Sequence, residues 1–242
     1  RSVSRGLGDV YKRQGHNDIP MDVRKAAYDN NSDEYDDFPE GEHYLQLSQT
    51  ERDMVDMVCS NFDNVIVVYN GANQFELGFA DEYPQIKSVV WCPGTGNVGF
   101  NALGKVFSGE VNPSGKTPDT FIYDMTTAPW WNNAEKTEYT NLADMAVEGM
   151  NAGTAQVYAP AFTNYVEGIY VGYKYYETAA QEGAIDYDKT VQYPFGYGLS
   201  YTEFEQKMGE LEEKDGQISV DVEVTNTGDV AGKDVVEVYY KP

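Results

Sequence analysis

A chain of 242 residues has room for one medium domain plus part of another. Its formal net charge of −23 argues against nucleic acid or an anionic membrane as partner, since both are polyanions, and is compatible with a neutral sugar. No apolar run approaches the ~20 residues of a membrane span, while 41% hydrophobic residues suffice for a packed core.

Residues 1–14 carry four basic side chains and one acidic one, whereas the remaining residues hold 13 basic and 39 acidic. That change of sign marks a composition boundary at Gln14/Gly15. The segment reads as a cloning or assembly scar, with a native basic arm as the alternative. It has no apolar segment of the kind a signal peptide needs. Residues 29–43 are polar and acidic and read as an exposed loop. Ser48-Gln49-Thr50-Glu51 is a capping box, and Met54, Val55, Val58 and Phe62 supply the apolar stripe of the helix it opens. Val65-Ile66-Val67-Val68-Tyr69 is a continuous apolar run, which predicts a strand covered on both faces. Residues 86–92 predict a second buried strand, and 100–108 a short helix stopped by Gly109.

Asn112-Pro113-Ser114-Gly115 predicts a tight turn in which Pro113 fixes φ and Gly115 permits positive φ. Residues 124–164 are weakly periodic and read as a long excursion with one helix near 141–150. From Ile218 the pattern becomes a clean alternation, with Val220, Val222 and Val224 on one face and Asp221, Glu223 and Thr225 on the other. After the Gly228-Asp229 turn, a second strand is expected over 233–240. The fold class expected is α/β, a sandwich of a mostly parallel sheet between helices. An incomplete all-β module follows, because two strands cannot close a sandwich.

Four constellations invite a chemical reading. Gly94-Thr95-Gly96-Asn97-Val98-Gly99 fits G-x-G-x-x-G between a strand and a helix, the context of a dinucleotide fingerprint. Asp119 lies at about the right distance to be its acidic partner, but no buried strand leads into it, and the glycines read better as letting a helix sit close to the sheet. Asp29, Asn31, Asp33, Tyr35, Asp37 and Glu40 fall on calcium-loop positions, yet Glu34 replaces the required glycine and Pro39 precedes the closing glutamate. Cys59 and Cys92 form no disulfide framework and have no partners at metal-ligand spacing, so both read as buried thiols. His16 and His43 have no visible nucleophile to serve. Neither a metal nor a cofactor is expected. The 20 tyrosines and 3 tryptophans suit stacking on sugar faces as well as strands and cores.

Three blocks then stand out: Asn112-Pro-Ser-Gly-Lys-Thr-Pro-Asp-Thr-Phe121, Tyr165-Val-Glu-Gly-Ile-Tyr-Val-Gly-Tyr-Lys-Tyr-Tyr176, and Tyr193-Pro-Phe-Gly-Tyr-Gly-Leu-Ser-Tyr-Thr-Glu-Phe204. In that order and spacing they resemble the second domain of glycoside hydrolase family 3, the β-glucosidase and β-xylosidase group. The resemblance runs from about Gly15 to the last residue. It implies three parts: a non-native or unstructured 1–14, the family's C-terminal α/β domain over 15–205, and a truncated fibronectin type III-like module over 206–242.

The resemblance also implies a retaining mechanism on terminal β-D-glycosyl residues, with one carboxylate attacking the anomeric carbon and one protonating the leaving oxygen. Family members carry the acid/base glutamate in a Gly-Glu-Gly turn that Gly15-His16-Asn17-Asp18-Ile19-Pro20 continues. The glutamate would precede Gly15, where this chain has Gln14, which cannot donate a proton. Glu34 is a substitute candidate, because crowding with Asp33, Asp36 and Asp37 would raise its pKa; a solvated acid cluster is the competing reading. Asn17 and Asp18 are candidates to line the sugar site. The family's nucleophile sits on a barrel domain that nothing here resembles, so the fragment alone is expected to be inactive. The expected partners are a β-glucoside or oligosaccharide and that missing barrel. The alternatives are a noncatalytic carbohydrate-binding or scaffolding module and, lower, a nucleotide-binding protein.

Overall fold

The computed structural model describes residues 37–39, 42–43, 45–71, 73–96, 98–131, 137–138, 144, 147–151, 154–158, 161–162 and 166–239, with the backbone alone over 137–138, 147–151, 154–158 and 161–162. The first helix, α1 (Gln49–Asn61), starts where its cap demands. Ser48 Oγ accepts the Glu51 N–H at 3.4 Å, and the Glu51 carboxylate accepts the Ser48 N–H at 3.0 Å. Asp37 reinforces this end: its carbonyl accepts from Gln49, and its carboxylate accepts the Thr50 N–H and hydroxyl at 2.9 and 2.6 Å. An anion at a helix N-terminus satisfies free N–H groups and meets the positive end of the dipole. The acidic segment therefore does not stay an exposed loop to its end, as expected over 29–43, because capping draws Asp37 in and His43 is buried.

Strands β1 (Val65–Tyr69) and β2 (Ile86–Trp91) pair in parallel, with Val65 opposite Ile86 and Tyr69 opposite Trp91. A short helix, α2 (Phe79–Glu82), lies in the crossover, and α3 (Phe100–Phe107) follows β2. The expectation that β1 is covered on both faces fails. Val65, Val67 and Tyr69 turn inward, but Ile66 and Val68 are 52% and 36% exposed. Among the described residues one face is packed, by the cluster of Leu47, Tyr69, Phe75, Leu77 and Phe121, against which Val55 of α1 rests. A second cluster joins Leu45, Ile122, Met125, Ala128, Trp131, Tyr176 and Val191.

β3 (Phe121–Ile122) pairs antiparallel with β8 (Val191–Tyr193). Between them run β4 (Thr137–Glu138), β5 (Val147–Asn151), β6 (Thr154–Tyr158) and β7 (Ala161–Phe162), paired as β4–β7 and β5–β6. Residues 147–150 are thus strand, not part of the helix expected near 141–150; Val147, Thr154, Val157 and Tyr158 favour strands, and only two residues separate the paired Asn151 and Thr154. Helices α4 (Tyr173–Gln181) and α5 (Tyr187–Thr190) precede β8. Among the described residues, β1–β2 is the one parallel pair in five two-stranded sheets.

The strand pairing near the C-terminal end is not the one expected. The strand containing Ile218, β10 (Gln217–Asn226), pairs with the preceding β9 (Phe204–Lys214), not with a strand over 233–240. The connection is Asp215-Gly216, both at positive φ, 55° and 76°, the geometry a two-residue hairpin needs. Residues 231–239 form no strand; their polar groups go to side chains instead. Gly115 is not among the residues at positive φ. Its role is close approach, since a Cβ on Gly198 would overlap the Gly115 carbonyl oxygen.

Replacing the cap, Ser48→Ala, is expected to cost about 1 kcal/mol in urea unfolding. An unchanged midpoint would show that Asp37 alone satisfies the helix terminus.

Candidate active-site edge

In open α/β folds ligands collect outside the C-terminal ends of parallel strands. Here that edge is formed by residues 69–71 after β1 and 91–92 after β2, and it is tied tightly. The Cys92 N–H donates to the Tyr69 carbonyl at 2.8 Å, Asn70 Nδ2 to the Cys92 carbonyl at 2.6 Å, and Trp91 Nε1 to the Gly71 carbonyl at 2.7 Å. The loop after β1 then alternates. Phe75 and Leu77 enter the core at 2% and 3% exposure, and Gln74 and Glu76 point the other way.

Glu76 gathers donors from two distant segments. Its Oε1 accepts the Met125 N–H at 2.7 Å and lies 3.1 Å from His43 Nε2. The Gln46 amide, oriented so that both its ends are satisfied, donates to Glu76 Oε2 at 3.2 Å and accepts the His43 N–H at 3.0 Å. His43 Nδ1 accepts the Leu45 N–H at 3.2 Å, so the ring proton sits on Nε2, facing the carboxylate. The imidazole packs 4.6 Å from the Trp131 ring. His43 therefore serves structure. Sequence reasoning gave it no role, and the one available signal was the alternation of residues 74–77 after a strand.

Asp119 stands at the entry to β3. Its Oδ1 accepts the Thr120 N–H at 2.8 Å, the Gln74 side chain donates to it, and Gly172 at the head of α4 approaches the same oxygen. Asp119 is exposed by surface area, yet burial by surrounding protein raises its pKa despite those hydrogen bonds. The two observations fit a crowded, solvent-reached depression, where water is displaced from one side of the carboxyl group. Its neighbour Tyr176 is buried and its phenol is pushed far up, first by burial and then by the charges of Asp119 and Glu167. The buried Gln74 Oε1 and Thr120 Oγ1 find no hydrogen-bond partner. Two donors, the Thr120 N–H and the Gln74 amide, thus serve the Asp119 carboxylate.

Gln14, Asn17, Asp18, Glu34 and His16 lie outside the described residues, as does the calcium-loop pattern apart from Asp37 and Pro39. Asp37 caps α1. The glycine-rich turn does not behave as expected. A Cβ on Gly94 or Gly96 would meet open space, and one on Gly99 would strike the Thr95 carbonyl of its own turn. These glycines shape a turn; they do not bring α3 close to the sheet. Asp119 precedes β3, whereas a dinucleotide acid must follow a strand. Cys59 is buried and Cys92 half-buried, and burial pushes both thiols up. Among the described residues, no group of three His, Cys, Asp or Glu is arranged to hold a metal.

A parallel strand pair alternating with helices is an α/β arrangement. Residues 18–173 match the glycosyl hydrolase family 3 C-terminal domain, and the chain belongs to that family. It is 34% identical over 195 residues to a β-glucosidase of Ruminococcus albus, covering 80% of this chain and 17% of that protein. It is 34% identical over 218 residues to β-glucosidase A of Butyrivibrio fibrisolvens, covering 84% of this chain and 23% of that protein. A solved β-glucosidase from Paenibacillus barengoltzii superposes with a TM-score of 0.60 at 31% identity, over 79% of this chain and 18% of that one. The Kluyveromyces marxianus β-glucosidase solved in complex with glucose gives 0.58 at 26% identity, over 76% and 18%. The chain thus spans between 17% and 23% of the length of these four relatives.

Glu76→Gln keeps the size of the side chain but places an NH2 group among donors. We expect it to lose about 2–3 kcal/mol in chemical unfolding, with the slope unchanged; a shift below half that would mean the network is not stabilising. Asp119 gives the opposite sign. Its folded-state pKa is raised above 3.8, so the folded form binds the proton more tightly than the unfolded chain. The ionised group costs stability above the raised value, and the cost disappears as pH falls below 3.8. Asp119→Asn should therefore melt above wild type at neutral pH and level with it at about pH 3.5. A lower melting temperature at neutral pH would contradict this reading.

Proposed function

We propose that this chain supplies the α/β domain of a retaining β-glucosidase that removes terminal β-D-glucosyl units, and that the 242-residue polypeptide does not turn over such substrates alone. The observation that carries the reading is the family match over residues 18–173, which begins beside the turn expected to hold the acid/base. In this reading the acid/base position immediately before Gly15 is occupied by Gln14, and Asn17 and Asp18 line the sugar. Glu34 is the substitute candidate for that acid. The nucleophile belongs to a barrel domain, and a retaining pair must bring two carboxyl groups to about 5–5.5 Å. Neither half of that pair is assigned to a described residue.

Two further parts of the reading concern architecture. The β1–β2 pair is taken as the seed of a mostly parallel sheet between helices over 15–205, and the β9–β10 hairpin as the opening of a fibronectin type III-like module over 206–242. Residues 1–14 are taken as foreign to the domain. A net charge of −23, which repels polyanions, agrees with a neutral ligand.

The test is a chimera. Residues 15–205 replace the matched segment of the Ruminococcus albus enzyme, which keeps its own residues on the N-terminal side of the junction. Hydrolysis of an aryl β-glucoside by the chimera, with none by the isolated 242-residue chain, is the expected result. Turnover by the isolated chain, or a folded but inert chimera, would overturn the proposal. Micromolar cellobiose binding by an inert chimera would point instead to a noncatalytic carbohydrate-binding module.

A further inference from the structure

The β9–β10 hairpin packs poorly on its own. Met208, Leu211 and Ile218 are 68%, 66% and 75% exposed, so burial of its faces contributes little to holding it in place. What holds it is polar and lies at its root. Thr202 Oγ1 donates to Asn226 Oδ1 at 2.7 Å, and Asn226 Nδ2 donates to the Val230 carbonyl at 2.8 Å.

From that root, residues 231–239 run without strand pairing across parts of all three blocks that carry the family resemblance. Asn112 Nδ2 donates to the Ala231 carbonyl at 3.1 Å, and the Lys233 N–H to Ser114 Oγ at 3.1 Å. Lys116 Nζ lies 3.6 Å from Asp234 Oδ1, whose other oxygen accepts Gln206 Nε2 from β9 at 2.7 Å. Glu237 lies against Gly196, and the Tyr239 ring meets Tyr173 edge-on at 5.7 Å. Tyr173 in turn stacks on Phe195 at 4.9 Å.

The surface under this segment is itself knitted from the first and third blocks. The Thr117 N–H donates to the Tyr197 carbonyl at 2.7 Å, and the Gly196 N–H to the Thr117 carbonyl at 2.8 Å. Lys116 Nζ donates to the Gly198 carbonyl at 2.8 Å. Asn112 Oδ1 accepts from Ser200 Oγ at 3.0 Å and the Tyr201 N–H at 2.7 Å, so both ends of this one amide are used. A Cβ on Gly232 would press on Asn112 Nδ2, leaving no room for a larger residue at the crossing.

We propose that residues 231–239 are a strap that fastens the β9–β10 hairpin to the α/β layer, with Asn112 and Lys116 as its two latches. The composition of the first and third blocks then follows from the strap's seat. Asparagine bridges two chain segments with one amide, lysine reaches a carbonyl and a carboxylate together, and glycines allow the backbones to touch. Lys116 and Asp234 side chains are only 25% and 14% exposed, so their attraction is screened less than that of a surface pair.

Hydrogen exchange followed by mass spectrometry on the whole chain tests this. In Asn112→Ala and in Lys116→Met, amides of residues 204–226 should exchange about tenfold faster, while those of residues 49–69 keep their wild-type rates. Lys105→Met breaks an exposed pair with Glu110 and should change neither region. Adding Asp234→Asn to Lys116→Met should bring less further loosening than Asp234→Asn brings alone, because the latch has already opened. Unchanged exchange over 204–226 in both latch variants, equal acceleration over 49–69, or full additivity of the pair would each overturn the strap.

Discussion

A single carboxylate joins the two hydrophobic clusters of the described fold. Glu76 sits between Phe75 and Leu77, which belong to the cluster around Tyr69 and Phe121. Its oxygens, however, take donors from His43, Gln46 and Met125, the neighbourhood of the cluster around Leu45 and Trp131. A mostly buried carboxylate, here with 13% of its side chain exposed, is favoured when its oxygens are met by donors. That requirement fixes where residues 43–46 and the chain near Met125 must lie. The alternation of the loop after β1 does the rest, sending two apolar residues into one core and one acid toward the other. His43 completes the arrangement, because its Nδ1 is committed to the Leu45 N–H and only Nε2 remains to face the acid.

The first and third resemblance blocks meet by a different device. They are joined mainly through backbone carbonyls and amides read by a few side chains, with Asn112, Lys116 and Thr117 in the centre. Such a joint needs glycine wherever two backbones touch, as at Gly115 and Gly198. The second block enters at Gly172 beside Asp119 and at Tyr173 on Phe195. The entry to β3 is therefore bordered by all three, and burial by surrounding protein is the largest cause of the raised pKa of Asp119. Structural glycines and a half-desolvated acid are two consequences of one convergence.

Much of the α/β portion was legible because its signals are local. The capping box, the apolar runs of β1 and β2 and the Gly109 stop each depend on residues within one turn or strand. The β9 strand was hidden for a physical reason. Its apolar residues Met208 and Leu211 are three apart, a helical spacing, yet they pair with Val222 and Val220, two apart. A bulge makes the difference, and Gly209 sits against Asp221 at that place. The Asp215-Gly216 pair did signal the hairpin. Residues 231–239 misled in the other direction, since valines at 235, 236 and 238 resemble a strand while the backbone's partners are side chains far away in sequence. His43 and Asp119 were illegible as structural and desolvated groups, because their distant partners lie 33 to 88 residues away, where no local pattern predicts them.

Family membership and catalytic competence consequently rest on different residues. The blocks at 112–121 and 193–204 are recognisable because the joint between layers tolerates few alternatives: an amide with both ends engaged, a lysine with two acceptors, glycines against carbonyls. None of those interactions requires a sugar. A chain can keep this joint, and with it the resemblance, whatever residue stands before Gly15. Asp119 shares the first block but adds nothing to that joint's stability. Its backbone belongs to the first block, but a desolvated carboxylate costs stability that Asn at the same position would avoid.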